Sequence, residues 1–194
     1  MTISLTKGQK ISLEKSGGGA LTKVRMGLGW DAVAKKSMFG GKKSQTIDLD
    51  ASCLLLDASG ELVDQVWFRQ LASVDGSVQH TGDNRTGAGD GDDESIIVHL
   101  DRVPASVATL VFTVNSFTGQ DFSQIENAFC RLVDATVAGE PEMARFELTG
   151  SGTHTAQIMC KLYRHGGAWK MAALGQPTSG RTVKDLMPAV QAVI

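Results

Sequence analysis

The residues of this chain that are best suited to chemistry are concentrated between Gly82 and Glu94, where the sequence reads GDNRTGAGDGDDE. Two like unit charges about 4 Å apart repel by ~1 kcal/mol in water and by ~4 kcal/mol near a protein surface, so an ordered loop of this kind needs a cation. Carboxylate, amide and main-chain oxygens are the ligands that calcium prefers, and glycines allow the backbone to turn towards one ion. The predicted ligands in this loop are Asp83, Asn84, Asp90, Asp92, Asp93 and Glu94.

The loop does not follow the EF-hand pattern. Aligning Asp90, Asp92 and Glu94 with alternating EF-hand ligands puts Ser95 where glycine is required. An apolar run follows at once, so the loop is expected at the end of a strand. The alternative interpretation is a solvated acidic hairpin without metal, but the coincidence of carboxylates, glycines and Asn84 favours a metal site.

Three further carboxylates are candidates for the same site. Asp48 and Asp50 are two residues apart, so on a strand both side chains project from one face while Leu49 projects from the other. Asp31 follows the glycine-marked segment Gly27–Trp30 and is a plausible contributor at another strand end. Taken singly, residues of this kind are more often surface or turn residues than metal ligands.

Catalytic patterns are not evident. The four histidines are scattered, and neither HExxH nor GxSxG occurs. His80 lies near the acidic loop, where a residue flanking a turn is the favoured interpretation and contact with the ligands is the alternative. The three cysteines lack CxxC spacing, which favours buried, reduced thiols over a thiolate metal site. We therefore expect no enzymatic activity.

Short apolar or alternating runs separated by turn residues dominate the rest of the chain. They predict an all-β fold, a β-sandwich of two mainly antiparallel sheets, in a single domain spanning residues 1–194. The segment Lys35–Lys43 is basic and contains glycine, which is typical of an exposed loop. The predicted strands are Ile11–Leu13, Leu21–Leu28, Thr46–Leu56, Leu62–Arg69, Ser95–Leu100, Val107–Ser116, Ala128–Asp134, Ala144–Leu148, Ala156–Tyr163 and Trp169–Leu174.

Two segments depart from the strand pattern and predict short helical structure. Asp121 is suited to cap a helical turn within Gln120–Asn127. Apolar residues recur at helical spacing from Thr182 to Ile194 and predict a C-terminal amphipathic helix on the sandwich. Pro188 is unfavourable inside a helix and suits the start of its last turns.

Charge and hydropathy narrow the range of partners. The formal net charge of -2 provides no broad basic field for nucleic acid. No stretch approaches the roughly 20 apolar residues of a transmembrane helix, and the first ten residues lack the apolar run of a signal peptide. We expect a cytoplasmic protein, with peripheral membrane contact and oligomeric state left open.

The sequence resembles the TerD family of tellurium resistance and stress-response proteins over nearly its whole length. The resemblance is carried by four segments, of which the acidic loop is the most specific. These are Gly27–Asp31, Ile47–Ser52, Gly82–Glu94 and Phe122–Phe129. The resemblance implies a β-sandwich that binds calcium, usually two ions, through the acidic loop. It also implies an association with resistance to tellurite and other stresses.

The resemblance also implies roles for particular residues. The six loop residues Asp83, Asn84, Asp90, Asp92, Asp93 and Glu94 match the family's calcium motif, and Asp31, Asp48 and Asp50 match acidic positions beside it. The chain departs from the family pattern at Gly82, where asparagine is frequent. Two functions remain open: a calcium-dependent interaction module or scaffold for other stress-response or resistance proteins, and a calcium-bridged binder of a phospholipid head group, nucleotide or phosphoprotein.

Overall fold

The computed structural model describes residues 2–15, 18–32, 34–36, 42–44, 47–83, 91–148 and 152–194. Within these ranges the chain is built mainly from strands. The strands are β1 (Ile3–Ser4), β2 (Lys10–Ser12), β3 (Lys23–Ala32), β4 (Ala34–Lys36), β5 (Lys42–Ser44), β6 (Leu49–Leu56), β7 (Leu62–Val66), β8 (Val78–His80), β9 (Glu94–His99), β10 (Thr109–Ser116), β11 (Ile125–Asp134), β12 (Glu142–Glu147), β13 (Ala156–His165) and β14 (Ala168–Thr178).

Two six-stranded sheets account for most of the described strands. The first has the order β1-β12-β11-β3-β9-β8, and the second has the order β2-β14-β13-β10-β6-β7. Pairing is antiparallel throughout both sheets except between β1 and β12, which are parallel. The predicted all-β architecture of two mainly antiparallel sheets is confirmed.

Apolar side chains from strands of both sheets form one core. On β3, Val24, Met26, Leu28 and Trp30 are buried, and they belong to the same apolar cluster as Phe112 of β10 in the other sheet. Full burial of a large apolar side chain stabilises the fold by about 1.5–3 kcal/mol. The core therefore holds the two sheets, and the ends of their strands, in a fixed relation.

A second apolar cluster lies on the outer face of the second sheet, beneath the C-terminal segment. A 3₁₀ turn, Val183–Leu186, leads into the helix α1 (Met187–Gln191), with Thr182 and Asp185 forming a capping box. Pro188 lies in the first turn of α1, as expected. The predicted helix from Thr182 to Ile194 is thus confirmed in place and type, but its first turn is 3₁₀ and α1 is shorter than predicted.

Other departures from the sequence prediction concern short elements. Strands β4 and β5 pair across part of the predicted loop Lys35–Lys43, so its described ends form a hairpin, while residues 37–41 lie outside the described ranges. Strands β1 and β8 were not predicted, because two or three residues are too few to show alternation. The turn capped by Asp121 is confirmed as a 3₁₀ turn, Phe122–Gln124. Among the described residues, helices long and apolar enough to span a bilayer are absent.

Candidate metal centre

Strand ends from both sheets bring the predicted acidic residues to one end of the sandwich. Asp31 lies at the end of β3, and Glu94 begins the neighbouring strand β9 of the same sheet. Asp48 and Asp50 lie at the start of β6 in the opposite sheet. The antiparallel order and the common core place these ends together, although the residues are far apart in sequence.

Asp48, Asp50 and Asp83 form an acidic group, in the described part of the chain, that could hold one metal ion. One carboxylate oxygen from each lies within 4.8 Å of the others. Asp48 and Asp50 are buried, whereas Asp83 is exposed. Asp48 and Asp50, which are predicted to project from one face of a strand, both lie beside Asp83 of the acidic loop.

The electrostatics of Asp50 show how strongly the group concentrates negative charge. Burial is the largest cause that raises the pKa of Asp50 from 3.8 to about 8, followed by the negative charges of Glu94, Asp48 and Asp83, in that order. The amide of Asn115 opposes the shift by donating a 3.0 Å hydrogen bond to Asp50 Oδ2. A cation placed among these carboxylates would favour the ionised form of Asp50, since an opposite charge within about 4–6 Å lowers the pKa of an acid.

Glu94 joins the two sheets beside this group. Its Oε2 accepts a 2.7 Å hydrogen bond from the backbone N–H of Ala51 on β6, and the residue is almost fully buried. His80 Nε2 lies 3.3 Å from the same oxygen, while His80 Nδ1 accepts the N–H of Gly82 at 3.1 Å. Because Nδ1 is an acceptor, a neutral imidazole carries its proton on Nε2, facing Glu94. His80 therefore contacts the acidic site, which was the less favoured of its two interpretations.

A second acidic pair, Asp31 and Asp93, lies on the first sheet. The Trp30 backbone N–H donates to Asp93 Oδ2 at 3.0 Å, and the Asn127 amide donates to Asp31 Oδ2 at 2.7 Å. The pKa of Asp93 is raised by burial, with smaller contributions from Asp31 and Asp92, against the Trp30 hydrogen bond. The described carboxylates thus divide into two neighbouring groups.

Asp92 does not join either group through the contacts that the structure shows. Its Oδ2 is paired with Arg25 Nη1, and its Oδ1 accepts a 2.6 Å hydrogen bond from Arg131 Nε. The side chain is 5% exposed. Buried ion pairs cost much more to break than exposed ones, so Asp92 holds the loop onto β3 and β11 in this structure, a role the sequence did not predict.

Glycines on β3 make room for this packing. A Cβ at Gly27 would collide with the carboxylate of Asp92. A Cβ at Gly29 would come within 2.5 Å of both the Gly91 carbonyl oxygen and the ring of Phe129. Gly27 and Gly29 therefore allow Gly91 and Asp92 to lie directly on the sheet.

The remaining predicted ligands, Asn84 and Asp90, lie outside the described residues. Among the residues described, the donor set is suited to calcium. Ligands at 2.3–2.6 Å from one ion lie at most about 5 Å apart, and Asp48, Asp50 and Asp83 satisfy this limit. Hard carboxylate oxygens are typical ligands of calcium and magnesium rather than of soft metals.

The cysteines lie apart from this chemistry. Cys53, Cys130 and Cys160 are free and buried, which agrees with the predicted reduced thiols. Burial raises the pKa of each thiol. Because the thiolate is the form that binds metal, this environment disfavours a soft metal site at neutral pH.

Comparison with known proteins places this geometry in a family. The TerD domain profile matches residues 1–188. The chain belongs to the TerD family. It is 50% identical over 186 residues to the tellurium resistance protein TerZ of Serratia marcescens, covering 95% of this chain and 94% of that protein. It is also 42% identical over 199 residues to stress response protein SCP2 of Bacillus subtilis (strain 168), covering 96% and 98% of the two chains.

The fold agrees with a solved TerD-like structure. A homologue of the telluride resistance protein TerD from Streptomyces coelicolor A3(2) superimposes with a TM-score of 0.71 at 20% identity, covering 87% of this chain and 96% of that one. At this identity the likeness concerns the fold alone. The two-sheet architecture is therefore the fold of a TerD-like structure.

Several residues at the site carried weak sequence signals. Asn115 sits in the apolar strand β10, and its amide also donates to the Arg181 carbonyl at 2.7 Å. Asn127 has a φ of 52°, in the left-handed region, at a break in the register between β11 and β3. An asparagine inside a strand pattern is a recognisable signal, since it tolerates that conformation better than most residues.

Proposed function

We propose that this TerD-family chain is a calcium-binding, non-enzymatic stress-response protein that acts as a calcium-dependent interaction module or scaffold. The observation that carries the proposal is the convergence of Asp48, Asp50 and Asp83 within 4.8 Å at the junction of two sheets. These three residues would hold one ion, with Glu94 beside them. Asp31 and Asp93 would contribute to a second ion.

Calcium would supply positive charge and cross-linking. It would neutralise carboxylates that the fold brings together and tie the loop after β8 to the start of β6 in the other sheet. Its effect on the protein would therefore be to order one end of the sandwich, which is the property required of a calcium-dependent binding surface. The relatives named for tellurium resistance and stress response support the same biological setting.

Non-enzymatic action is supported by the surroundings of the described histidines. His80 is engaged with Gly82 and Glu94, and His154 stacks on Phe122 with ring centroids 5.0 Å apart. Neither arrangement provides the nucleophile, base and orienting group that covalent catalysis requires.

Calorimetric titration of the metal-free protein tests the proposal. We expect calcium to bind with a Kd in the roughly 10⁻⁷ to 10⁻⁵ M range of sensor-type sites, more tightly than magnesium. Asp48→Asn should weaken binding, whereas Asp101→Asn, at an exposed turn after β9, is a matched control. Absence of heat with calcium, or clear binding of zinc alone, contradicts the proposal.

A second candidate function is a calcium-bridged site for an anionic ligand. It is favoured by the exposure of Asp83, which leaves one of the three carboxylates in contact with solvent. Binding of anionic vesicles or nucleotides in calcium but not in chelator, lost in Asp48→Asn, would support this function. Equal binding in both conditions would exclude the calcium bridge.

A further inference from the structure

The outer face of the second sheet carries a pair of lysines on either side of a small residue. Lys10 on β2 is opposite Ala172 on β14, and Ala172 is in turn opposite Lys161 on β13. Residues directly opposite each other project from the same face. Two strand spacings separate the lysine backbones by about 10 Å, and Ala172 places only a methyl group between the two side chains.

These three residues line a cleft with a volume of about 400 Å³. Thr109 and Tyr163 also line it and carry hydroxyl groups. Volumes of about 300–1,000 Å³ are usual for small-molecule sites. The size and the mixture of ammonium, hydroxyl and small apolar groups suit a compact polar ligand.

The cleft is separate from the acidic site. Thr109 begins β10, whereas Asn115, the partner of Asp50, lies six residues further along the same strand. At about 3.3–3.4 Å per residue, roughly 20 Å separates these positions. An anion in the cleft would thus lie far from the carboxylates of the candidate metal centre.

The charges in the cleft favour an anion. Burial lowers the pKa of Lys161, and the neighbouring Lys10 lowers it further. The Lys161 ammonium donates one hydrogen bond, to the Val193 carbonyl at 3.1 Å. In the described part of the chain, neither Lys10 nor Lys161 forms a salt bridge with a carboxylate. A doubly charged ligand between the two ammonium groups would relieve their repulsion and use their remaining N–H donors.

The other charged groups nearby are already engaged. Arg164 lines the cleft, but its guanidinium donates to the Val107 and Val103 carbonyls and lies over the ring of Trp169. Asp57 borders an adjoining cavity, where its Oδ1 accepts hydrogen bonds from the Ser59 and Glu61 amides. Lys10 and Lys161 are therefore the cations available to a ligand.

We propose that this cleft is a binding site for a phosphate dianion, either free or as the monoester of a small molecule, held between Lys10 and Lys161. The site is independent of calcium. It would give the protein a second ligand, recognised on the face of the sheet rather than at the strand ends.

The test is calorimetric titration in chelator, at constant ionic strength, with inorganic phosphate and with glycerol 3-phosphate. We expect a Kd of about 1 mM or lower. Losing one charge-assisted hydrogen bond should weaken binding about tenfold in Lys10→Gln and in Lys161→Gln. Lys15→Gln, an exposed lysine outside the cleft, is the matched control and should leave the Kd unchanged.

Lys10 is exposed, so the Lys10→Gln variant should fold normally. Lys161→Arg should retain phosphate binding because it keeps the positive charge. Tighter binding of glycerol 3-phosphate than of phosphate identifies a monoester site, and equal binding identifies a site for phosphate itself. Absence of binding up to about 10 mM, or the same affinity in Lys10→Gln, Lys161→Gln and Lys15→Gln, would overturn the proposal.

Discussion

Replacing Asp50 by asparagine should stabilise the metal-free protein and reduce the stabilisation that calcium adds. Asparagine keeps the shape of the side chain and an oxygen that can accept the hydrogen bond from Asn115, but it removes one negative charge from the group formed with Asp48 and Asp83. Without metal, that charge opposes folding. With calcium, the same charge is a ligand.

The magnitude follows from the pKa of Asp50, which burial and neighbouring carboxylates raise from 3.8 to about 8. Because the folded state holds its proton up to a higher pH, the free energy of unfolding of the metal-free protein should fall as pH rises from about 4 to about 8. At 1.36 kcal/mol per pKa unit, ionising Asp50 costs the folded state on the order of 5 kcal/mol. Burial of an imperfectly paired amide offsets part of this gain, so we expect Asp50→Asn to stabilise the metal-free protein by about 1–3 kcal/mol at pH 8.

The assay is denaturant unfolding in chelator at pH 5 and pH 8, and in saturating calcium at pH 8. At a free calcium concentration of 100 times the Kd, one site adds about 2.7 kcal/mol to wild type. A tenfold weaker Kd in Asp50→Asn removes about 1.4 kcal/mol of that increment. Asp101→Asn should follow wild type under all three conditions.

A metal-free Asp50→Asn protein that is less stable than wild type at pH 8 would refute the electrostatic reasoning. A free energy of unfolding of metal-free wild type that rises between pH 5 and pH 8 because of the Asp50 carboxyl would also refute it. An undiminished response to calcium in Asp50→Asn would show that the ion binds elsewhere.

Three further outcomes follow from contacts around the site. Asp92→Ala should destabilise the metal-free protein by about 1–3 kcal/mol in denaturant unfolding, because it leaves Arg25 and Arg131 without their shared partner. A gain in stability would show instead that repulsion among the carboxylates of the loop dominates. His80→Phe should weaken calcium binding about tenfold or more in calorimetry, because it removes the contact with Glu94. His80→Gln should recover part of the affinity. Equal calcium affinities in wild type and both variants would contradict this positioning role. The three thiols should react with an aromatic disulfide reagent only after denaturation, because burial raises their pKa and shields them from the reagent. Rapid reaction of the thiols in the native protein would contradict this expectation.

The choice of controls depends on the structure as well as on charge. From the sequence alone, Asp185 would be interpreted as an ordinary exposed residue of the C-terminal helix. In the structure its Oδ2 accepts hydrogen bonds from the Arg181 and Thr182 amides, at 3.0 and 2.9 Å. Removing this cap should destabilise the protein whether or not calcium is present, which makes Asp101 the better control.

Much of the fold could be predicted from local patterns, because short apolar runs and alternating runs both mark strands. The longer strands, such as β10 and β13, were predicted close to their observed bounds. Alternation does not reveal which strands become neighbours, because pairing depends on the packing of the whole sandwich. The pairing of β3 with both β9 and β11 is an example.

The candidate site could be predicted as a set of residues but not as a geometry. Asp48 and Asp50 were expected on one face, and they meet Asp83 in the structure. Asp92 and Asp93 are adjacent in the same loop, yet Asp92 pairs with arginines while Asp93 accepts the Trp30 N–H. Composition cannot distinguish the two, because the direction of each side chain depends on the path of the loop over β3.

A crystal structure of the calcium-loaded protein would show whether Asp48, Asp50 and Asp83 together hold calcium, with anomalous diffraction used to locate the ion. We expect an anomalous peak about 2.3–2.6 Å from a carboxylate oxygen of each of these three residues. Full calcium occupancy elsewhere in the protein, with no peak among these carboxylates, would contradict it.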